Sequence, residues 1–390
     1  MTQSEIQWRR LGGIVAMQGS ITLAWVIYAL YLPDLLVQLG FARQLAGTLL
    51  IIEHTLEVLI EPIFGNLSDQ SQQKIGSRFP WITLGVILAS AFFLALPIIA
   101  LVVPPVSLWR WIFPFIAVLW ASAMAIFRSP VISLLRQATP EPKLPIAASC
   151  LTLVQQLVNA FRFTAYGFVL SFGPLFTFAT GSFIILGAAA LLRRVTPPSA
   201  PQLESKSLSP ISSWNFVIIV GTGVSIGWSL RFLFASLSQI LATQLSQDQV
   251  GWGMLGFSLL LALTAIPAGK IASKFGNSLV MFVGLVATAI LLGITAMTTS
   301  IIIVLPGIIL MSFAFSSALN GMVPLVLELV PVVRSGLGIG AYFGAFGGAI
   351  SFFDLFFAQF SSLGLQASLG VIAFLIASLW VAISRKFRMQ

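Results

Sequence analysis

The chain has 390 residues, of which 58% are hydrophobic and only 8% charged, and its mean hydropathy is +1.02. A soluble domain carries about 25% charged residues, so this composition excludes a soluble enzyme and leaves a polytopic membrane protein. The net charge of +9 does not mark a nucleic-acid partner, because the basic residues punctuate the apolar runs and act as topology signals.

Apolar runs of about 20 residues recur to the end of the chain, which predicts membrane-spanning helices and not a barrel. Twelve spans fit, at roughly 12–37, 45–65, 81–103, 109–135, 146–170, 173–192, 214–240, 250–269, 279–299, 301–330, 335–360 and 364–384; they are numbered helix 1 to helix 12. The run after Trp8-Arg9-Arg10 is too long for a signal peptide and is read as the first span. Residues 193–213 are polar and rich in Pro and Ser, which predicts a cytoplasmic linker. The expected organisation is a six-helix bundle over 1–192, the linker over 193–213, and a second bundle over 214–390.

Basic residues set the orientation. The N-terminus, the even-numbered loops and the C-terminus hold fifteen of the twenty, Lys206 and Arg388 among them, whereas the odd-numbered loops hold only Arg43 and Arg110. Both termini are therefore expected in the cytoplasm, with the chain in the inner or plasma membrane.

Helix 2 carries the strongest chemical signal. Glu53, Glu57 and Glu61 fall within about 80° on one face of an apolar helix, with His54 at their border. An ionisable side chain at bilayer depth costs roughly 2.5–3.5 kcal/mol on insertion scales, so three together should face a bundle interior or an aqueous cavity. Counted from the basic ends of their helices, Glu57 on helix 2 and Arg128 on helix 4 lie at similar depth, about eight to nine residues, which makes an ion pair feasible. His54 can relay protons among the glutamates or serve as a hydrogen-bonded packing residue.

Further polar and aromatic groups fall near the expected midplane or just outside it. Asn159 and Arg162 on helix 5, Arg231 on helix 7, Asp354 on helix 11, and the aromatics Tyr28 and Trp228 are candidate solute contacts. Arginine suits a carboxylate or phosphate, while an interhelical Arg231–Asp354 pair is the structural alternative. With one cysteine, Cys150, and one histidine, neither a disulfide nor a three-histidine metal site can form. No catalytic residue, metal or cofactor is expected.

The loop after helix 2 runs G-N-L-S-D-Q-S-Q-Q-K-I-G-S-R-F-P-W, from Gly65 to Trp81. It resembles the signature loop of the major facilitator superfamily, which implies gating roles for Gly65, Asp69 and Arg78. The resemblance implies two pseudo-symmetric six-helix bundles, with the solute at the midplane between them. The second half echoes the first, with Gly269 to Gly276 after helix 8 and Pro324 on helix 10 matching Pro130 on helix 4.

A narrower resemblance rests on E-V-L-I-E-P-I-F-G at Glu57 to Gly65, R-F-P-W-I at 78–82, Arg128-Ser129-Pro130, and Arg334 to Gly340. This looks like the glycoside–pentoside–hexuronide cation symporter branch, with its melibiose-permease-like and sucrose-transporter-like members. It implies that Glu57 and Glu61 occupy cation-coupling positions. Arg128 stands where that branch would carry an acid, which favours protons through Glu57 or Glu53, or no coupling cation, over sodium.

The expected function is secondary active transport of a small polar solute, a sugar or glycoside being the class the resemblance implies, by a proton-coupled monomer. Two alternatives share the fold: a pigment or light-harvesting assembly factor, and a flippase for amphiphiles or lipids. The orientation is testable directly. In a Cys150→Ser background, Ser205→Cys should resist a membrane-impermeant thiol reagent in intact cells; efficient labelling would reverse the topology.

Overall fold

The computed structural model describes residues 5–105, 107–164, 166–198, 210–360 and 362–387. The middle of the expected linker, 199–209 with Lys206, and Arg388 at the C-terminus lie outside the described residues. Among the described residues the chain is helical throughout, with twelve long helices in the expected order.

The first six are Trp8–Gln38, Leu45–Ile75, Phe79–Val102, Ile112–Ser133, Leu144–Thr164 and Pro174–Val195. The second six are Ser213–Ala242, Gln247–Phe275, Asn277–Ala296, Ile301–Leu329, Ser335–Phe356 and Leu363–Phe387. Helix 4 is preceded by a single 3-10 turn, Leu108–Trp111, and followed by the short helix Leu135–Ala138. Eleven spans among the described residues are long and apolar enough to cross a membrane by composition alone. Helix 2 is the exception, and its three glutamates are the reason.

The structure corrects the reading of the segment after helix 2. Residues 66–75 are not a loop; they continue helix 2 to Ile75. The stretch holds no Pro or Gly to stop it, and the helix ends at Gly76, whose φ of 69° is the left-handed conformation that glycine adopts freely. Helix 8 likewise runs past Gly269 to Phe275 and stops at Gly276, φ 95°. The two halves thus repeat the same long helix, glycine stop and tight turn.

Within the first half, helix 3 packs on helices 4 and 6, helix 1 on helices 5 and 6, and helix 2 on helix 4. The second half repeats this plan, with helix 9 on 10 and 12, helix 7 on 11 and 12, and helix 8 on 10. The halves meet along two seams, helix 2 against helix 11 and helix 5 against helix 8, with helix 4 also reaching helix 11.

Glycines set the close approach at the first seam. A side chain at Gly65 would collide with the backbone of Gly336, and one at Gly340 with the carbonyl of Glu61. Helix 2 is consequently inverted relative to a soluble helix. Leu59 and Ile63 are 63% and 53% exposed on its outer side, whereas Glu53, Glu57 and Glu61 are 1%, 3% and 0% exposed within the protein.

This packing makes a prediction. Gly65→Val should cost the closed seam about 1–3 kcal/mol through overpacking. Labelling of Ser335→Cys, a buried seam position, in a Cys150→Ser background should then accelerate roughly 5- to 150-fold. An unchanged rate would mean that the glycine contact does not control opening.

Candidate functional site

The centre of the site is Arg128, which helix 4 projects at helix 2. Its Nη2 lies 3.0 Å from Glu57 Oε2, and its Nε donates to Glu61 Oε1 at 2.6 Å. The guanidinium also sits over the ring of Phe343 on helix 11, 4.8 Å from its centroid, a cation–π contact across the seam. Ser129, next along helix 4, donates its hydroxyl to the backbone carbonyl of Glu61 at 3.2 Å. A carbonyl oxygen has two lone pairs, so that of Glu61 can accept this hydroxyl beside its helical bond.

The feasible Glu57–Arg128 pair is therefore present in the structure, and it is half of a larger arrangement in which one cation serves two carboxylates. Glu61 Oε2 is buried without a partner. Glu57 lies against Gly347 of helix 11, where an added Cβ would stand 2.6 Å from its Oε2. The glutamate side chains thus fill space that only glycine on the facing helix leaves open.

One turn further along, Glu53 has no cation. Its Oε1 accepts the hydroxyl proton of Tyr28 on helix 1, and its Oε2 is buried without a partner. Tyr28 is fully buried and packs against Trp120, ring centroids 4.4 Å apart. It belongs to the acidic cluster in this arrangement and not to an open solute pocket. His54 stacks on Trp25, centroids 5.4 Å apart, and its Nδ1 lies 3.5 Å from Glu57 Oε1 without hydrogen-bond geometry. It is 21% exposed, against 3% or less for the glutamates.

The other candidates lie apart from this cluster. Arg231 on helix 7 is paired with Asp354 on helix 11 and sits over Phe353, 5.2 Å from the ring centroid. Trp228 stacks loosely on Phe352 at 5.7 Å, and its Nε1 is buried without an acceptor. Together with Val58 and Pro62 of helix 2 and small residues of helix 11, Trp228 lines an apolar groove of about 420 Å³. Asn159 is half-buried on helix 5, and Arg162 is exposed, with no acid partner among the described ion pairs.

At the end of the bundle where helix 2 turns into helix 3, Asp69 is fully buried. Arg78 Nη2 contacts its Oδ1 at 2.6 Å, and the backbone N–H groups of Gly336 and Leu337 donate to its two oxygens at 2.8 Å each. Asp69 in the first half thus caps the start of helix 11 in the second, where a carboxylate is favoured by the helix dipole. Arg78 also donates to Ser68 Oγ at 2.8 Å. Two further contacts cross between the halves here. Arg334 donates to Asn66 Oδ1 at 2.6 Å, and Arg136 donates to the carbonyls of Leu327 and Val330 at the end of helix 10.

Sequence reasoning missed Phe343, the Tyr28–Glu53 bond and Arg136. The glycine spacing of helix 11, at 336, 340, 344 and 347, was a usable signal for the seam, since small residues four apart mark close helix approach. Nothing in the order of residues pointed Tyr28 at Glu53.

Residues 11–192 match the family model described as MFS/sugar transport protein. No curated protein sequence matches the chain. Among solved structures, a bacterial homologue of the iron transporter ferroportin in an outward-facing state aligns with TM-score 0.79 and 17% identity, over 98% of this chain and 100% of that one. The same homologue soaked with iron gives 0.79 and 16%, over 98% and 99%. The human organic anion transporter MFSD10 (TETRAN) gives 0.64 and 15%, over 95% and 99%. These identities establish the shared fold, and the family match adds the sequence pattern of the first half. Eleven candidate spans mark an integral membrane protein, the chain has the fold of these major facilitator structures over nearly its whole length, and its first half carries the MFS/sugar transport protein pattern.

Proposed function

We propose that the chain is a secondary active transporter that moves a small polar solute by alternating access, driven by protons, with the acidic face of helix 2 as the coupling element. The observation that carries this reading is the charge count of the cluster. Among the described ion pairs one arginine, Arg128, serves a group of three buried carboxyls, contacting Glu57 and Glu61 and leaving Glu53 to the Tyr28 hydroxyl. Burying unpaired carboxylates in low dielectric is costly, so the groups that Arg128 does not balance hold protons while the seam is closed.

The position of the cluster supplies the coupling. Glu57 and Glu61 lie where helix 2 touches helix 11, so separating these helices hydrates them and removes Phe343 from the guanidinium. Hydration stabilises the carboxylate form, and the protons leave on the side that has opened. His54, partly exposed and beside Glu57, is placed to pass protons between water and the cluster. Gly65, Asp69 and Arg78 form the latch that holds the seam shut and release it on opening. By the basic-residue asymmetry this latch end is cytoplasmic, and the two bundles, 1–192 and 214–390, move about the 193–213 linker in the inner or plasma membrane.

The solute is assigned to the space flanked by Asn159, Arg162, Trp228, Arg231 and Asp354, with Tyr28 serving the cluster. The family description supports a sugar. A second reading, an anionic solute, is favoured by Arg162, which is exposed and lacks an acid partner among the described ion pairs; one structural neighbour is named as an organic anion transporter. Iron, the cargo named for the ferroportin relative, is disfavoured, because Arg128 already occupies the two deep carboxylates. The buried acidic stripe also speaks against a pigment-assembly role, which needs no coupling groups.

The test combines a ligand screen with a gradient. A solute that stabilises the purified protein is reconstituted with it in proteoliposomes under an imposed pH difference. Glu53→Gln should keep equilibrium exchange of that solute while losing at least about tenfold in proton-driven accumulation, since a 1.4 kcal/mol change in coupling is a factor of ten. Accumulation that follows sodium and ignores the pH difference would reject proton coupling.

A further inference from the structure

The latch encloses a cavity of about 180 Å³ that the transport cycle described above does not use. Its lining comes from both halves. Gln72 and Arg78 belong to the end of helix 2 and the turn after it, Arg136 and Gln137 to the short helix after helix 4, and Ser335 to the first turn of helix 11. Among the described residues of the wall Asp69 is the only acid.

The charges on this wall do not balance. Asp69 is already satisfied by Arg78 and by the two backbone N–H groups of helix 11. Arg136 gives one nitrogen to the carbonyls of Leu327 and Val330, which accept without contributing a negative charge. Two guanidinium groups therefore face one carboxylate on the wall itself, Glu141 near Arg136 lying off it, and the positive end of a 22-residue helix points the same way. Arg78 is only 3% exposed, and its Nε–H is buried without an acceptor. Gln72 and Gln137 add amide donors. A cavity with surplus cation, spare donors and an unmet buried arginine N–H is built to receive an oxyanion.

We propose that this cavity binds a phosphate group and that its occupancy holds the latch closed. The site exists only while both halves are together, because each contributes part of its wall. A ligand that binds one arrangement and not the other shifts the equilibrium toward the one it binds. Phosphate on the latch side thus acts as a brake on opening at that side, independently of which solute is carried and of whether protons drive it.

Inorganic phosphate is the probe. In detergent, the melting temperature of the full-length protein should rise saturably with sodium phosphate relative to sodium chloride at matched ionic strength. Gln72→Glu, which places a repelling charge on the wall, should raise the half-saturating phosphate concentration at least tenfold. Arg136→Gln, which removes a cation, should do the same, with the folding of each variant checked by its melting curve in chloride. Equal melting temperatures in phosphate and chloride would overturn the proposal, as would an unchanged half-saturation in both variants. Repeating the titration in phosphatidylglycerol nanodiscs separates the sources: a lost response assigns the phosphate to a lipid headgroup, and a retained one assigns it to the free ion.

Discussion

The interaction on which the rest depends is the guanidinium of Arg128 shared between Glu57 and Glu61. It joins helix 4 to helix 2 in one half and, through Phe343, touches helix 11 of the other. Removing one member of such a buried group leaves an uncompensated charge, a loss of about 3–5 kcal/mol in other proteins. Glu57 and Glu61 are buried where this arginine meets them and where helix 11 presents glycine. Charge and sterics are thus solved by the same contact, at the surface that the proposed cycle opens.

That placement explains why helix 2 looks unlike its neighbours. Helix 2 carries its charges inward and its leucine and isoleucine outward, and among the described long helices it is the one too charged to count as an apolar span. Its two ends are held by different chemistry. Tyr28 and Glu53 tie one part to helix 1, and Asp69 ties the other to the start of helix 11. In the proposed cycle a movement at the latch passes along helix 2 to the carboxyl cluster, with the glycine-lined seam as the surface that parts.

Much of this was legible in the residues. The twelve spans and the inward face of Glu53, Glu57 and Glu61 follow from hydropathy and helical period, and the two-bundle fold from the polar linker, the echo between halves and the family resemblance. The Glu57–Arg128 contact was within reach because depth can be counted along two helices that run the same way and whose ends are marked by basic residues. Depth alone could not choose between Glu57 and Glu61, since an arginine side chain spans a full helical turn, and the structure uses both. The end of helix 2 was misread because a polar stretch after an apolar run looks like a loop, although it held no helix breaker before Gly76. Tyr28 was unreadable for a different reason. Which way a side chain on helix 1 points depends on how that helix rotates against helix 2, and sequence spacing does not encode that rotation. Arg136 escaped notice because its partners are main-chain carbonyls, which leave no trace in residue identity.

The central claim is that Arg128 and the helix 2 carboxylates act as one unit, and a double-mutant cycle measures that unit directly. Glu57→Gln, Arg128→Gln and the double variant would be compared by unfolding in detergent. The arrangement seen here predicts that each single change costs about 3–5 kcal/mol and that the double change costs less than their sum by about 0.5–3 kcal/mol. Effects that add within about 0.5 kcal/mol would show that the two side chains do not act on each other, and the account of coupling at the seam would fall with them.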